Sequence, residues 1–110
     1  MFQGTNSISN TYELLKWLLP TVSKFPKDKR YTLGSRIENK VLDILELLIK
    51  ATYTKPRLEL LKKANIDLEI LRHMVRLSYD LKLINLPRYE YLSEQINEIG
   101  KSVGGWIKLN

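Results

Sequence analysis

Residues 32–53 read TLGSRIENKVLDILELLIKATY, and their apolar spacing decides the fold. Leu33, Ile37, Val41, Ile44 and Leu48 recur at intervals of four, four, three and four. At 3.6 residues per turn those positions share one face, so the segment reads as a helix with a bundle-type stripe, starting at Lys29 or Thr32 and ending at Tyr53. No stretch of the chain alternates at period two, which argues against strands.

Working outward, the preceding helix is expected over Thr11 to about Lys24, with Asn10 as its cap and Glu13 completing a capping box. Pro20 lies inside it. Its ring removes one hydrogen bond and crowds the carbonyl of Lys16, so a kink is expected there, and Pro26 ends the helix. Residues 1–9 are expected to form a flexible tail ahead of a bundle spanning 10–110. Downstream, Thr54 and Pro56 read as the start of a third helix running to about Ile84. Asn85 to Pro87 make a turn, and a fourth helix runs from Arg88 to Trp106 with Tyr89, Leu92, Ile96, Ile99 and Val103 on one side. Short connections place successive helices antiparallel, giving an all-α, up-down-up-down four-helix bundle.

The third helix carries more apolar surface than one interior needs. Leu68, Leu71 and Val75 form one stripe, while Ile70, Met74, Leu77, Leu81 and Ile84 form a second beside it. Either the core is thick or the second stripe is a contact surface for another subunit, with Met74 and Leu77 at its centre. Gly100 and Gly104, four apart, allow close backbone approach on one side of the fourth helix, either within the bundle or between subunits. Trp106 beyond them covers the bundle end or a neighbouring subunit.

Composition narrows the function. The 110 residues make one domain, and the absence of cysteine excludes disulfides and thiolate metal sites and fits a reducing compartment. The first residues lack the basic and apolar regions of a signal peptide, so a cytoplasmic protein is expected. The net charge of +6 is unevenly placed. Lys24, Lys27, Lys29, Arg30, Arg36 and Lys40 face only Asp28 and Glu38 across residues 24–40, and Lys55, Arg57, Lys62 and Lys63 face only Glu59 across 55–63. Such clusters suit a polyanion, whose phosphates attract Lys and Arg whatever the base sequence; the alternative is a solvated basic surface.

Catalytic chemistry is not indicated. His73 has no cysteine or second histidine to join it on a metal, and no nucleophile stands at helical spacing from it. Glu94 and Glu98 share a face, yet read as solvated carboxylates. No cofactor is implied. Arg72 and Arg76 face the same way, where Glu69 and Asp80 can complete an ordinary ion-pair ladder; the other reading is a contact to phosphate or protein. The aromatic residues are scattered, so stacking on single-stranded bases is not expected and any nucleic acid would be held by its backbone.

Beyond these physical readings, Phe25 to Glu38 (FPKDKRYTLGSRIE) resembles a known family. So do Tyr12 to Pro20, Leu45 to Ala51, Ala64-Asn65, Leu71-Arg72-His73, Arg88-Tyr89-Glu90 and the ending Glu98 to Trp106 (EIGKSVGGW). The family is the accessory variability determinant of diversity-generating retroelements, and the similarity runs from about Tyr12 to Trp106. It implies a non-enzymatic subunit assembling as a ring-like homopentamer. Such a subunit binds the retroelement's reverse transcriptase and its template RNA or RNA–cDNA hybrid during mutagenic retrohoming. Paired arginines on an exposed face of this helix are a family feature that Arg72 and Arg76 match. The resemblance therefore points to Lys27, Lys29, Arg30, Arg36, Arg72 and Arg76 as contact residues, and to Met74, Leu77, Gly104 and Trp106 as oligomer contacts. The related four-helix proteins encoded by intervening sequences of ribosomal RNA genes, which lack a reverse-transcriptase partner, are the alternative.

Overall fold

The computed structural model describes residues 3–110, and among them every regular element is helical. α1 spans Gln3–Val22, α2 is the single turn Lys27–Lys29, and a π-helical segment follows over Arg30–Gly34. α3 then spans Ser35–Tyr53, α4 Leu58–Asp80 and α5 Leu86–Lys108. The four long helices are neighbours in a square: α1 and α4 each pack on both α3 and α5. With short connections between them, this is the antiparallel bundle that the apolar periodicity implies. Leu14 and Leu18 from α1, Ile44 and Leu48 from α3, Leu68 and Leu71 from α4, and Ile96 and Ile99 from α5 fill the interior.

The first helix begins at Gln3 rather than Thr11, so Asn10 lies within it and caps nothing. Residues 3–9, expected as a tail, are helical; Met1 and Phe2 of that expected tail lie outside the described residues. The cause is local. Ser7 and Thr11 are fully buried, and the Thr11 hydroxyl donates to the Ser7 carbonyl at 2.7 Å. A hydroxyl satisfied four residues back is compatible with a helix interior, which is how polar residues came to resemble a helix start. Pro20 does sit inside α1.

Helical structure resumes at Lys27, slightly ahead of the expected start at Lys29 or Thr32. The Arg30 amide donates to the Pro26 carbonyl at 2.8 Å, and the Ser35 amide reaches the Arg30 carbonyl, five residues back. Gly34 is buried where the turn meets α1: a Cβ there would stand 2.7 Å from Val22 Cγ1.

The third long helix is shorter at both ends than expected. Arg57, not Thr54, precedes its first turn, and a cis Lys55–Pro56 peptide lies in the connection. At the other end Lys82 adopts φ 62°, its amide donates to the Tyr79 carbonyl at 2.9 Å, and Leu83 donates to Ser78 at 2.8 Å. That pair of bonds is a Schellman closure, built here on lysine where glycine is usual. Asn85 then caps α5, its side chain accepting from the Arg88 amide at 3.0 Å, with Pro87 in the first turn.

Candidate nucleic-acid and partner interface

The antiparallel topology gathers one basic end. Lys27 and Lys29 project from the turn after α1, while Lys82 and Arg88 belong to the α4–α5 connection at the same end; Tyr79 stacks on Tyr89 at 4.7 Å across that connection. Lys24, Lys27 and Lys82 are exposed. Lys29 pairs with Asp28 at 3.3 Å, a sequence neighbour. Arg30 is turned inward: its Nη2 donates to the Phe25 carbonyl at 3.2 Å, and its Nε is buried without a partner among the described residues. It therefore holds the turn closed more than it offers charge to solvent. Lys82 and Arg88 escaped the sequence reading because the α4–α5 connection reaches the end that carries Lys27 only once the helices are paired.

Arg36, in the first turn of α3 and so at the same end of the bundle, is exposed beside Asn39, Lys40, Asp43 and Met74 in the α3–α4 groove. Lys40, which the sequence places in the basic cluster, bridges to the buried Asp67 at 3.3 Å and to Asp43 at 3.7 Å. Its charge is neutralised within the fold, which ties α3 to α4. Spacing gave no sign of this pair, since its members are 27 residues apart.

Arg72 and Arg76 are brought together on the α5 side of α4. Arg72 Nη1 pairs with Glu69 at 3.0 Å and its Nε donates to Asn97 on α5 at 3.4 Å. Arg76 Nε donates to both carboxylate oxygens of Asp80, at 3.2 and 3.3 Å. That hydrogen bond and the adjacent negative charge raise the Arg76 guanidinium still higher, so it stays cationic at any ordinary pH. The expected ladder is thus present, and the two guanidinium groups remain accessible along it: Arg76 is 65% exposed and Arg72 is 34% exposed. Arg72 also lines an open groove of about 630 Å³ with Glu94, Asn97, Glu98, Gly100 and Lys101. The groove carries both signs of charge, which suits polar protein side chains better than a run of phosphates. Glu94 and Glu98, read from sequence as merely solvated, form its acidic wall.

Of the residues expected between subunits, Leu77 is exposed and Met74 is half-buried against the core. A Cβ on Gly104 would meet nothing within 4 Å, so no close approach inside the bundle requires that glycine. Trp106 is corrected: at 1% exposure it fills the bundle end, with the Arg57 guanidinium 5.9 Å above its ring, and offers no surface to a neighbour. Its bulk and its position one turn after Val103 already place it on the core face. His73 is exposed, with Nδ1 2.9 Å from the Glu69 carbonyl oxygen. Among the described residues no group of three or more His, Cys, Asp or Glu is placed to hold a metal, and no helix is long and apolar enough to cross a membrane.

No curated protein matches the chain. A family model described as bAvd-like matches residues 7–110, nearly the whole length and including the basic turn, the paired arginines and the glycine-tryptophan ending. The chain therefore belongs to the bacterial accessory variability determinant family.

Proposed function

We propose that the protein is a non-enzymatic, homo-oligomeric adaptor of a diversity-generating retroelement. It engages the reverse transcriptase together with template RNA or the RNA–cDNA hybrid, and so supports mutagenic retrohoming. The observation that carries this reading is family membership across residues 7–110. The charge geometry supports a division of labour. The basic end, with Lys27, Lys29, Lys82 and Arg88 at one end of the bundle, suits a phosphate backbone, which attracts Lys and Arg whatever the base sequence. The Arg72–Arg76 ladder beside the mixed-charge groove suits the polymerase surface, where fixed pairs of both signs set orientation.

Two double variants test the division. Lys27→Ala with Lys29→Ala should weaken RNA binding and reduce the slope of log K against log salt by about two, one for each phosphate that is no longer neutralised. The same protein should still be retained on immobilised reverse transcriptase. Arg72→Ala with Arg76→Ala should do the reverse, with the helical content unchanged. RNA affinity unchanged in the first pair and polymerase retention unchanged in the second would overturn the reading.

A further inference from the structure

The α4–α5 connection leaves an open hollow of about 640 Å³ at the basic end, lined by Tyr79, Asp80, Lys82, Leu83, Asn85 and Arg88. That volume falls within the roughly 300–1,000 Å³ of small-ligand sites. Tyr79 and Tyr89 are ten residues apart in the chain, yet the connection folds one ring on the other, with centroids 4.7 Å apart and planes 16° from parallel. Both rings are half-buried and pack on the core. Tyr89 therefore backs one face of Tyr79 and fixes it, while the rest of Tyr79 borders the hollow. A ring fixed in advance loses little freedom when another flat group stacks on it.

The charge left over in the hollow is positive. Asp80 is the carboxylate of its lining, and both oxygens already accept from Arg76 Nε, at 3.2 and 3.3 Å. Lys82 and Arg88 have no ion-pair partner among the described residues. Asn85 spends its Oδ1 on the Arg88 amide at 3.0 Å, so its NH2 group is what remains to bind. The two grooves along the bundle walls differ on both counts. Their cations are paired, Arg72 with Glu69, Lys101 with Glu98 and Lys40 with Asp67, and no aromatic ring lines either groove.

We propose that this hollow holds one unpaired nucleotide, with its base stacked on Tyr79 and its phosphate held by Lys82 and Arg88. This rests on the nucleic-acid reading above and adds which form is bound. Phosphates are present on any strand, whereas a base face is free only where a strand is unpaired. Template RNA offers such a nucleotide wherever it loops out or runs past the end of a hybrid. A free nucleotide carries the same base and phosphate.

Fluorescence anisotropy with the full chain separates these cases. The probes are a labelled RNA single strand, the same strand carrying abasic spacers, its blunt duplex, and adenosine 5′-monophosphate as competitor. The intact strand should bind about tenfold more tightly than the abasic one. Tyr79→Leu, checked for retained helicity, should remove that factor and leave duplex affinity and the salt slope unchanged; Tyr79→Phe should keep it. Lys82→Gly should instead lower the slope of log K against log salt by about one on both single strands. Excess mononucleotide should bring the intact strand down to the abasic level, and a mononucleotide that binds as tightly as the strand identifies a free nucleotide as the occupant. Equal binding of intact and abasic strands by the unaltered protein would overturn the site, whatever the variants do. Loss of polymerase retention in Tyr79→Leu, with strand binding kept, would replace it with a protein contact. No binding of any strand at low salt would bring down the nucleic-acid reading beneath it.

Discussion

Arg72 lies across α5 at Gly100: a Cβ on that glycine would stand 2.9 Å from the arginine's Nη2. The missing side chain gives the guanidinium room to reach Asn97 on the same helix. Gly100→Ala meets only the tip of a flexible side chain, and alanine is favoured over glycine in a helix by about 1 kcal/mol. Denaturant unfolding should therefore show equal or slightly greater stability. Retention on the polymerase should fall, because Arg72 is displaced.

Gly34 gives the opposite sign. A methyl group there would press on Val22 Cγ1 at 2.7 Å and on the Lys29 carbonyl oxygen at 3.3 Å, and neither belongs to a long, mobile side chain. Gly34→Ala should cost about 1–3 kcal/mol through overpacking, despite alanine's better helix propensity. Chemical denaturation of the two glycine variants side by side checks the contrast.

Lys82 occupies the left-handed region at φ 62°, where a Cβ is disfavoured. Lys82→Ala and Lys82→Gly both remove the charge, so their difference isolates the backbone. Glycine should be more stable than alanine by about 1 kcal/mol, read from denaturation midpoints.

Glu38 has its carboxyl raised above the usual carboxylate range because burial disfavours the charged form. A raised acid binds its proton more tightly in the folded state. Its penalty is therefore present above the folded pKa and relieved as pH falls through it. Glu38→Gln should raise the thermal midpoint at pH 7 in an isolated protomer, with the gain shrinking towards pH 4.

Much of the bundle was legible because burial imposes a period: the stripe from Ile37 to Leu48 follows directly from residue type and spacing, whereas Asn85–Pro87, expected as a turn before a helix at Arg88, form the cap and first turn of α5. What escaped was decided by pairing rather than periodicity. Ser7 and Thr11 looked like cap chemistry, yet their hydroxyl and carbonyl satisfy each other inside α1. The stop at Asp80 is set by a lysine in a conformation associated with glycine, so no residue announced it. Lys40 was counted as free charge because Asp67 stands a whole helix away in the chain. The paired arginines were visible as a ladder, whereas the basic end needed the topology to collect Lys82 and Arg88.

The π segment at Arg30–Gly34 fits five residues into an arc that about four would cover at α pitch. It absorbs one residue, so the apolar stripe of α3 keeps its bearing on the core and the residues before the segment keep theirs. Deleting one residue there should restore α pitch and leave Lys27 and Lys29 on nearly the same bearing, whereas a length change without that change of pitch would swing them by about 100° around the axis. The segment is a slack link: chain length can vary there by one residue without re-aiming the basic turn or disturbing Val41, Ile44 and Leu48.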